Sequence, residues 1–471
     1  MGHLYISAAH KSSGKTMIIT GIAKAFSERG YSVQPFKKGP DYIDPKWLSA
    51  ASNKTCYNLD YNTQNDEELK SLFAYYANQA DISLIEGNKG LHDGIDLEGA
   101  NSNSALAKLL KTPVILVINT MGTTRGIAPL LLGYQQFDPD VNIQGVILNM
   151  VQGQRHEDKL IKAVEHYTDI PVLGAVRRNP NLVVDERHLG LVPYNEHPTA
   201  SARIETITEQ ISEQLDLDRI KAIADAAPAP GVPAHVPPTF DGRPDVRIAV
   251  AKDSAFGFYY PDDLEALQRA GARIVYFNAL NDVYLPTCDA LYIGGGFPET
   301  HMAKLEANKT LRTRIKAALE AGLPAYAECG GLMYLCRTIS WHDDKHQMVG
   351  VIPADMVMNL SPQGRGYMEI SPTKDHPWPG MSNNSGHIYP AHEFHNSNLE
   401  SIDPELKFAY EVQRGEGITG SHDGAIIHNV VAGFAHLRNS KSCPWAESFV
   451  AFVRGLKAQR GQAPSPAQIA G

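Results

Sequence analysis

Two stretches of this 471-residue chain place chemically capable residues at fixed spacing. In the first, the strand-like LYISAA runs into His10, Lys11, Ser12, Ser13, Gly14, Lys15 and Thr16, and a helical pattern follows directly. A helix start offers free backbone N–H groups and the positive end of the dipole to phosphate oxygens. In such a loop Lys15 reaches the terminal phosphates and Thr16 ligates magnesium, so ATP and Mg2+ are the expected cofactors. The first glycine of the usual GxxxxGK[ST] pattern is Ala9 here, a residue small enough to allow the turn. A helix cap beside a chance lysine is the bland alternative, but it leaves the flanking strand and helix unexplained.

Magnesium needs oxygen ligands. Glu86 closes the apolar run ISLIE, and ligands gather beyond the carboxyl ends of strands in open α/β sheets. Thr16, Asp44 and Glu86 form the expected metal set. Asp41 and Asp44 in KKGPDYIDP, and Asp93 in GLHDG, stand beside glycine or proline, where aspartate also serves simply to bond its own turn.

The second stretch surrounds Cys329 in LPAYAECGGLMYL, where a β-like run meets Gly330 and Gly331 before a helical pattern. A sharp turn there lifts the thiol onto a helix start, which favours thiolate. The loop from Gly294 to Glu299 follows the strand ALYI, and Gly295 and Gly296 are placed to aim N–H groups at an oxyanion. His436, ending the apolar run VVAGFAH, is the expected base.

The elements that position these groups follow from periodicity. LYISA, SVQPF, ISLIE, VILVIN, GVILN and PVLGAV alternate with helical spacing, which predicts a parallel, doubly wound α/β sheet over 1–225. The Pro-rich stretch 226–244 reads as a spacer. From 245 to 460 VRIAVA, RIVYF, ALYIG and PAYAE alternate with helices in a second α/β domain, and 461–471 reads as a flexible tail. A net charge of -9 without long basic runs argues against nucleic acid or an anionic membrane as the partner. Small molecules are the expected partners. No apolar run spans a bilayer and the start turns polar too soon for a signal peptide, so a cytoplasmic setting is expected. The five cysteines lack paired spacing, and a single reactive thiol fits them better than a disulfide framework.

Taken in order, the phosphate loop, GPDYIDP, NLD at Asn58–Asp60, IEGNKGLHDG, GVILN, ERHLGLVP, AFGFYYPD, YIGGGFPE, AECGGLMYL and HEFHNS resemble the cobyrinic acid a,c-diamide synthase family over nearly the whole chain. The resemblance implies a dethiobiotin-synthetase-like ATP domain joined to a class I glutamine amidotransferase domain. It implies that Cys329 attacks glutamine, that His436 shuttles protons, and that the freed ammonia displaces phosphate from an acyl phosphate on a tetrapyrrole carboxylic acid. Gly14, Lys15, Thr16, Asp41, Asp44, Glu86 and Asp93 then belong to the nucleotide site. Tyr367, Glu369, His392, Glu393 and His395 fall where the second domain faces the macrocycle. A homodimer is compatible with this picture.

Departures from the family pattern cluster near expected substrate contacts. Lys46, Trp47 and Leu48 follow GPDYIDP in place of an aromatic residue and histidine, and Arg438 replaces a second histidine after His436. With arginine at 438, the H-x-E glutamate that orients the histidine of many amidotransferases is missing. AAHKSSGKT, GPDYIDPKWL and CYNLDY are more similar to the branch associated with dissimilatory sulfite reductase systems, which amidates sirohaem, than to the corrin-pathway enzymes, with Trp47 and Arg438 expected to refit the pocket and Arg438 to pair with a substrate carboxylate. Cobyrinic acid is the alternative ring. Longer cobyric acid synthases act on other side chains, and a P-loop partitioning ATPase would need no cysteine domain.

Overall fold

The computed structural model describes residues 2–179, 186–187, 190–197, 199–229, 240, 242–384 and 386–462. Most of the Pro-rich spacer, part of ERHLGLVP and the tail from 463 onward lie outside the described residues. The chain divides into two compact units, Met1–Pro237 and Pro238–Gly471.

The first unit is built on β1 (Gly2–Ala8), α1 (Lys15–Glu28), β2 (Val33–Lys38), α2 (Asp44–Ser52), β3 (Tyr57–Leu59), β4 (Ile82–Glu86), β5 (Val114–Asn119), β6 (Ile143–Val151) and β7 (Val172–Arg177). Its seven strands lie in the order β3-β2-β4-β1-β5-β6-β7, every neighbouring pair parallel. β1, β2 and β4 are buried at every residue. Helices cover both faces of such a sheet, which is why a strand such as β5, VILVIN, reads as an almost continuous apolar run. Because all seven run the same way, the ends of β1, β2 and β4 open on one edge, and the phosphate loop, GPDYIDP and Glu86 meet there.

The second unit contains β8 (Val246–Ala251), α3 (Pro261–Arg269), β9 (Ala272–Phe277), β10 (Ala290–Ile293), β11 (Ala325–Glu328), α4 (Gly330–Leu335), β12 (Gly364–Pro372), β13 (Tyr389–His395), β14 (Lys407–Arg414), β15 (His422–Ile427) and β16 (Val430–Gly433). The nine strands follow the order β9-β8-β10-β11-β16-β15-β14-β12-β13. The half from β9 to β16 is parallel and the rest antiparallel. The parallel half contains the four strands expected from sequence. The antiparallel half left a weaker signal, since β14 exposes half of its residues and lacks a long apolar run. His392 of β13 bridges to His436 just beyond β16, which carries the far edge of the sheet to the thiol. Among the described residues no helix is long and apolar enough to cross a membrane.

Candidate active site

Gly14 takes a left-handed conformation at φ 84° immediately before α1. Asn149 of β6 packs where a Cβ on Gly14 would project, and its Nδ2 donates to Ser13 O at 2.8 Å. Only glycine fits this turn. Lys15 is buried and donates from Nζ to Lys89 O at 2.9 Å. Burial, then repulsion from Lys37, lowers its pKa to about 8 against the attraction of Glu86, Asp44 and Asp93. The loop bearing Asp93 docks on β1 through Leu91 N, which donates to Ala8 O at 2.8 Å. Asp93 itself accepts from Gly90 N at 2.9 Å, so it bonds its own turn while its charge reaches Lys15.

Thr16 Oγ1 donates to Glu86 Oε1 at 2.6 Å and to Asp44 Oδ2 at 3.3 Å. Between these groups sits Lys37, with Nζ 2.5 Å from Asp44, 3.3 Å from Glu86 and 3.5 Å from Asp41. Burial pushes Glu86 up to about 7 and, with repulsion from Asp44, Asp41 up to about 6, both against the pull of Lys37. Sequence reasoning passed over Lys37. It stands in the mixed strand VQPFKK, and only the fold shows that strand to be buried at every position, which is costly for a lysine unless it is paired.

Glu86 Oε2 is buried with no hydrogen-bond partner among the described residues. That orphaned oxygen, with Thr16 and Asp44 beside it, fits a hard divalent cation. No group of three or more His, Cys, Asp or Glu among the described residues forms a metal cage alone. Magnesium seldom uses such cages, being held by one or two carboxylates and the nucleotide's phosphates.

In the second unit Cys329 turns between β11 and α4 at φ 48°, ψ −103°, a strained conformation for a residue with a side chain. Its N–H donates to Gly433 O at 2.8 Å, fixing the turn to β16. A Cβ on Gly330 would stand 3.0 Å from Gly296 N, and one on Gly295 would stand 2.9 Å from His436 Cε1. The glycine loop thus lies against both the turn and the imidazole, the placement an oxyanion site requires.

His436 Nδ1 lies 3.6 Å from Glu328 Oε2, and the imidazole also faces the Cys329 sulfur. Burial pulls its pKa down, but bonding to Cys329 and Glu328 outweighs this and raises it to about 10. Glu328 is held in turn by the Tyr326 hydroxyl at 2.6 Å, the Tyr292 hydroxyl at 3.1 Å and Leu437 N at 3.1 Å. Thiol, imidazole and oriented carboxylate have the arrangement that a nucleophile–base–orienter set requires. The H-x-E glutamate is absent as expected, position 438 being arginine, and a different carboxylate, Glu328 at the end of β11, lies beside His436.

Comparison with known proteins follows the same division. An AAA domain matches residues 2–186, and a CobB/CobQ-like glutamine amidotransferase domain matches residues 247–442. The chain is 43% identical to a cobyrinate a,c-diamide synthase of Magnetococcus marinus, over 98% of each chain. A protein of that name from Methanosarcina acetivorans is 40% identical, over 97% of this chain and 96% of its own. One from Dehalococcoides mccartyi is 38% identical, over 97% and 99%.

The chain belongs to the cobyrinate a,c-diamide synthase family. It is therefore a ligase that forms C–N bonds, with a glutamine amidotransferase domain and a P-loop domain that implies ATP binding. Other residues singled out within the cobyrinate a,c-diamide synthase motifs divide by burial. Half-buried Tyr367 and Glu369 lie on β12, with Tyr367 opposite His392. His392 is buried and stacks on His436.

Four expected substrate contacts take interior roles. Glu393 accepts from Glu416 N at 2.7 Å and Gly417 N at 2.9 Å, bracing a loop. Buried His395 lies 2.7 Å from Ser397 O through Nδ1 and stacks on Phe434 with centroids 3.6 Å apart. Trp47 is buried in α2, where Nε1 donates to Val192 O at 3.1 Å and the ring meets Tyr194 edge-on. Arg438, also buried, donates to Asp262 Oδ2 at 2.8 Å and 3.2 Å. A buried guanidinium demands a carboxylate partner, and the α3 aspartate supplies it in place of substrate.

Proposed function

We propose that this chain uses ATP, Mg2+ and glutamine to amidate acetate side-chain carboxylates of a cyclic tetrapyrrole, each through an acyl phosphate. The observation that carries the reading is that one chain holds both a thiol–imidazole–carboxylate site and a phosphate loop faced by a buried lysine–carboxylate cluster. In the amidotransferase unit, Cys329 Sγ attacks the glutamine carboxamide while N–H groups of the glycine loop at Gly295 and Gly296 face the developing oxyanion. His436 passes its proton to the departing ammonia, leaving a thioester that water hydrolyses. In the synthetase unit, Lys15 and Lys37 offset phosphate charge as a substrate carboxylate takes the terminal phosphoryl group, and ammonia then displaces phosphate. Thr16, Asp44 and Glu86 would hold magnesium, which when bound neutralises phosphate charge. The reaction runs in the cytoplasm on small molecules.

For the ring we favour sirohaem or its metal-free precursor. AAHKSSGKT, GPDYIDPKWL and CYNLDY carry this preference, and all three converge on the ATP edge of the sheet. Asn58 Nδ2 donates to Gly39 O at 2.9 Å and to Asp41 O at 2.8 Å, tying CYNLDY to the GPDYIDP loop. Interior Trp47 and Arg438 no longer support it. A second reading, cobyrinate as substrate, is supported by the names of the relatives. Incubating the protein with ATP, magnesium and glutamine beside sirohaem, sirohydrochlorin or cobyrinic acid, with products read by mass spectrometry, decides between them. Diamidation of cobyrinic acid with the other two rings untouched would overturn the sirohaem assignment.

A further inference from the structure

Behind the glutaminase pair lies a buried column of side chains that the chemistry above does not use. The Arg438 guanidinium sits 4.7 Å over the Tyr260 ring. The Tyr260 hydroxyl lies 3.4 Å from His392 Nδ1. The His392 ring stacks on His436, with centroids 4.8 Å apart and planes inclined by 13°. Their backbones are locked as well: His436 N donates to His392 O at 2.8 Å and His392 N to His436 O at 3.3 Å.

Charges around the column fix its protonation. Glu328 and Cys329 face His436 on one side and His392 on the other, while Asp262 of α3 compensates Arg438. Burial, then the charges of His436 and Arg438, hold the pKa of His392 well below the ordinary histidine value. An uncharged ring parallel to an imidazolium presents its π face to a cation.

We propose that His392 is a positioning residue for the glutaminase base, its ring giving the imidazolium of His436 a π face while Tyr260 and Arg438 fix that ring from behind. The inference rests on the reading of Cys329 and His436 as the glutaminase pair. When Cys329 passes its proton to His436, the charge forms against His392, so the column favours the thiolate–imidazolium state over thiol and neutral imidazole.

The test is the pH profile of Cys329 alkylation by iodoacetamide in the full chain, read by mass spectrometry of the Cys329 peptide. His392→Ala should slow alkylation at pH 7 about tenfold, whereas His392→Phe, which keeps a π face, should stay within about threefold of the native rate. Tyr260→Phe should fall between them. His392→Gln gives the same comparison if His392→Ala does not fold. An unchanged profile for the ring-less variants, or a loss in His392→Phe as large as theirs, overturns the proposal. Alkylated protein that still uses glutamine would remove the assignment of Cys329 instead, a separate failure.

Discussion

The carboxylate of Glu328 faces His436 Nδ1 at 3.6 Å, while the next residue in the chain, Cys329, engages the same imidazole through its sulfur. Successive side chains on a strand point to opposite faces, so two neighbours reach one ring only because the chain turns between them. The positive φ of Cys329 makes that turn. One strand end thereby brings both a thiol and a carboxylate to the same imidazole, although residue 438 is an arginine.

If Glu328 orients the base, Glu328→Gln should lower glutamine-dependent amidation by about 10²-fold or more while leaving the ammonium-driven reaction near its native rate. Initial rates with each nitrogen source check this. Equal loss with both would show that Glu328 supports the fold and not the glutaminase.

The two sites should separate by nitrogen source. Cys329→Ala should abolish use of glutamine but keep synthesis from concentrated ammonium salt. Lys15→Ala should abolish both, because the phosphate loop serves either donor. Ammonium-driven synthesis persisting in Lys15→Ala would misplace the ATP site.

Lys37 holds Asp44, Glu86 and Asp41 together. Removing one member of a buried ion cluster costs about 3–5 kcal/mol, so Lys37→Met should unfold at markedly lower denaturant at pH 8. Glu86 and Asp41 already stand at about 7 and 6, above their unfolded values, so their ionisation opposes folding as pH rises past those unfolded values. The deficit of Lys37→Met should shrink toward pH 5, where both carboxyls take up protons. Urea titrations at the two pH values test the sign.

Arg438 distinguishes an interior role from a substrate contact. Arg438→Met leaves Asp262 buried without its partner and should cost about 3–5 kcal/mol in urea unfolding. Unchanged stability with a raised KM for the tetrapyrrole would return Arg438 to the substrate pocket.

His436 stands at about 10, raised from its ordinary value by Cys329 and Glu328 against the effect of burial. A group raised in the folded state contributes stability that is complete below its unfolded pKa, near 6.5, and lost as pH rises through about 10. The thermal midpoint should therefore fall between these limits, and His436→Gln should flatten that limb. Identical limbs in both proteins would contradict the raised value.

Local residue order alone pointed to the phosphate loop at Gly14–Thr16, Glu86 at the end of a buried strand, the Cys329 turn and the parallel runs, because each is a short pattern with its own mechanism. Glu328 carried the same signal as Glu86, a charge at the end of an apolar strand, whereas Lys37 stands in the mixed strand VQPFKK, whose burial only the fold reveals. What they pair with was invisible, since His436, Asp44 and Glu86 are brought to them by sheet order and not by spacing. Tertiary structure also decided the fate of Trp47, Glu393, His395 and Arg438, whose residue types suit a binding surface as well as an interior. A polar side chain can be buried when the fold supplies a partner, and only the packed structure shows Asp262 beside Arg438, Val192 O beside Trp47 and Gly417 N beside Glu393.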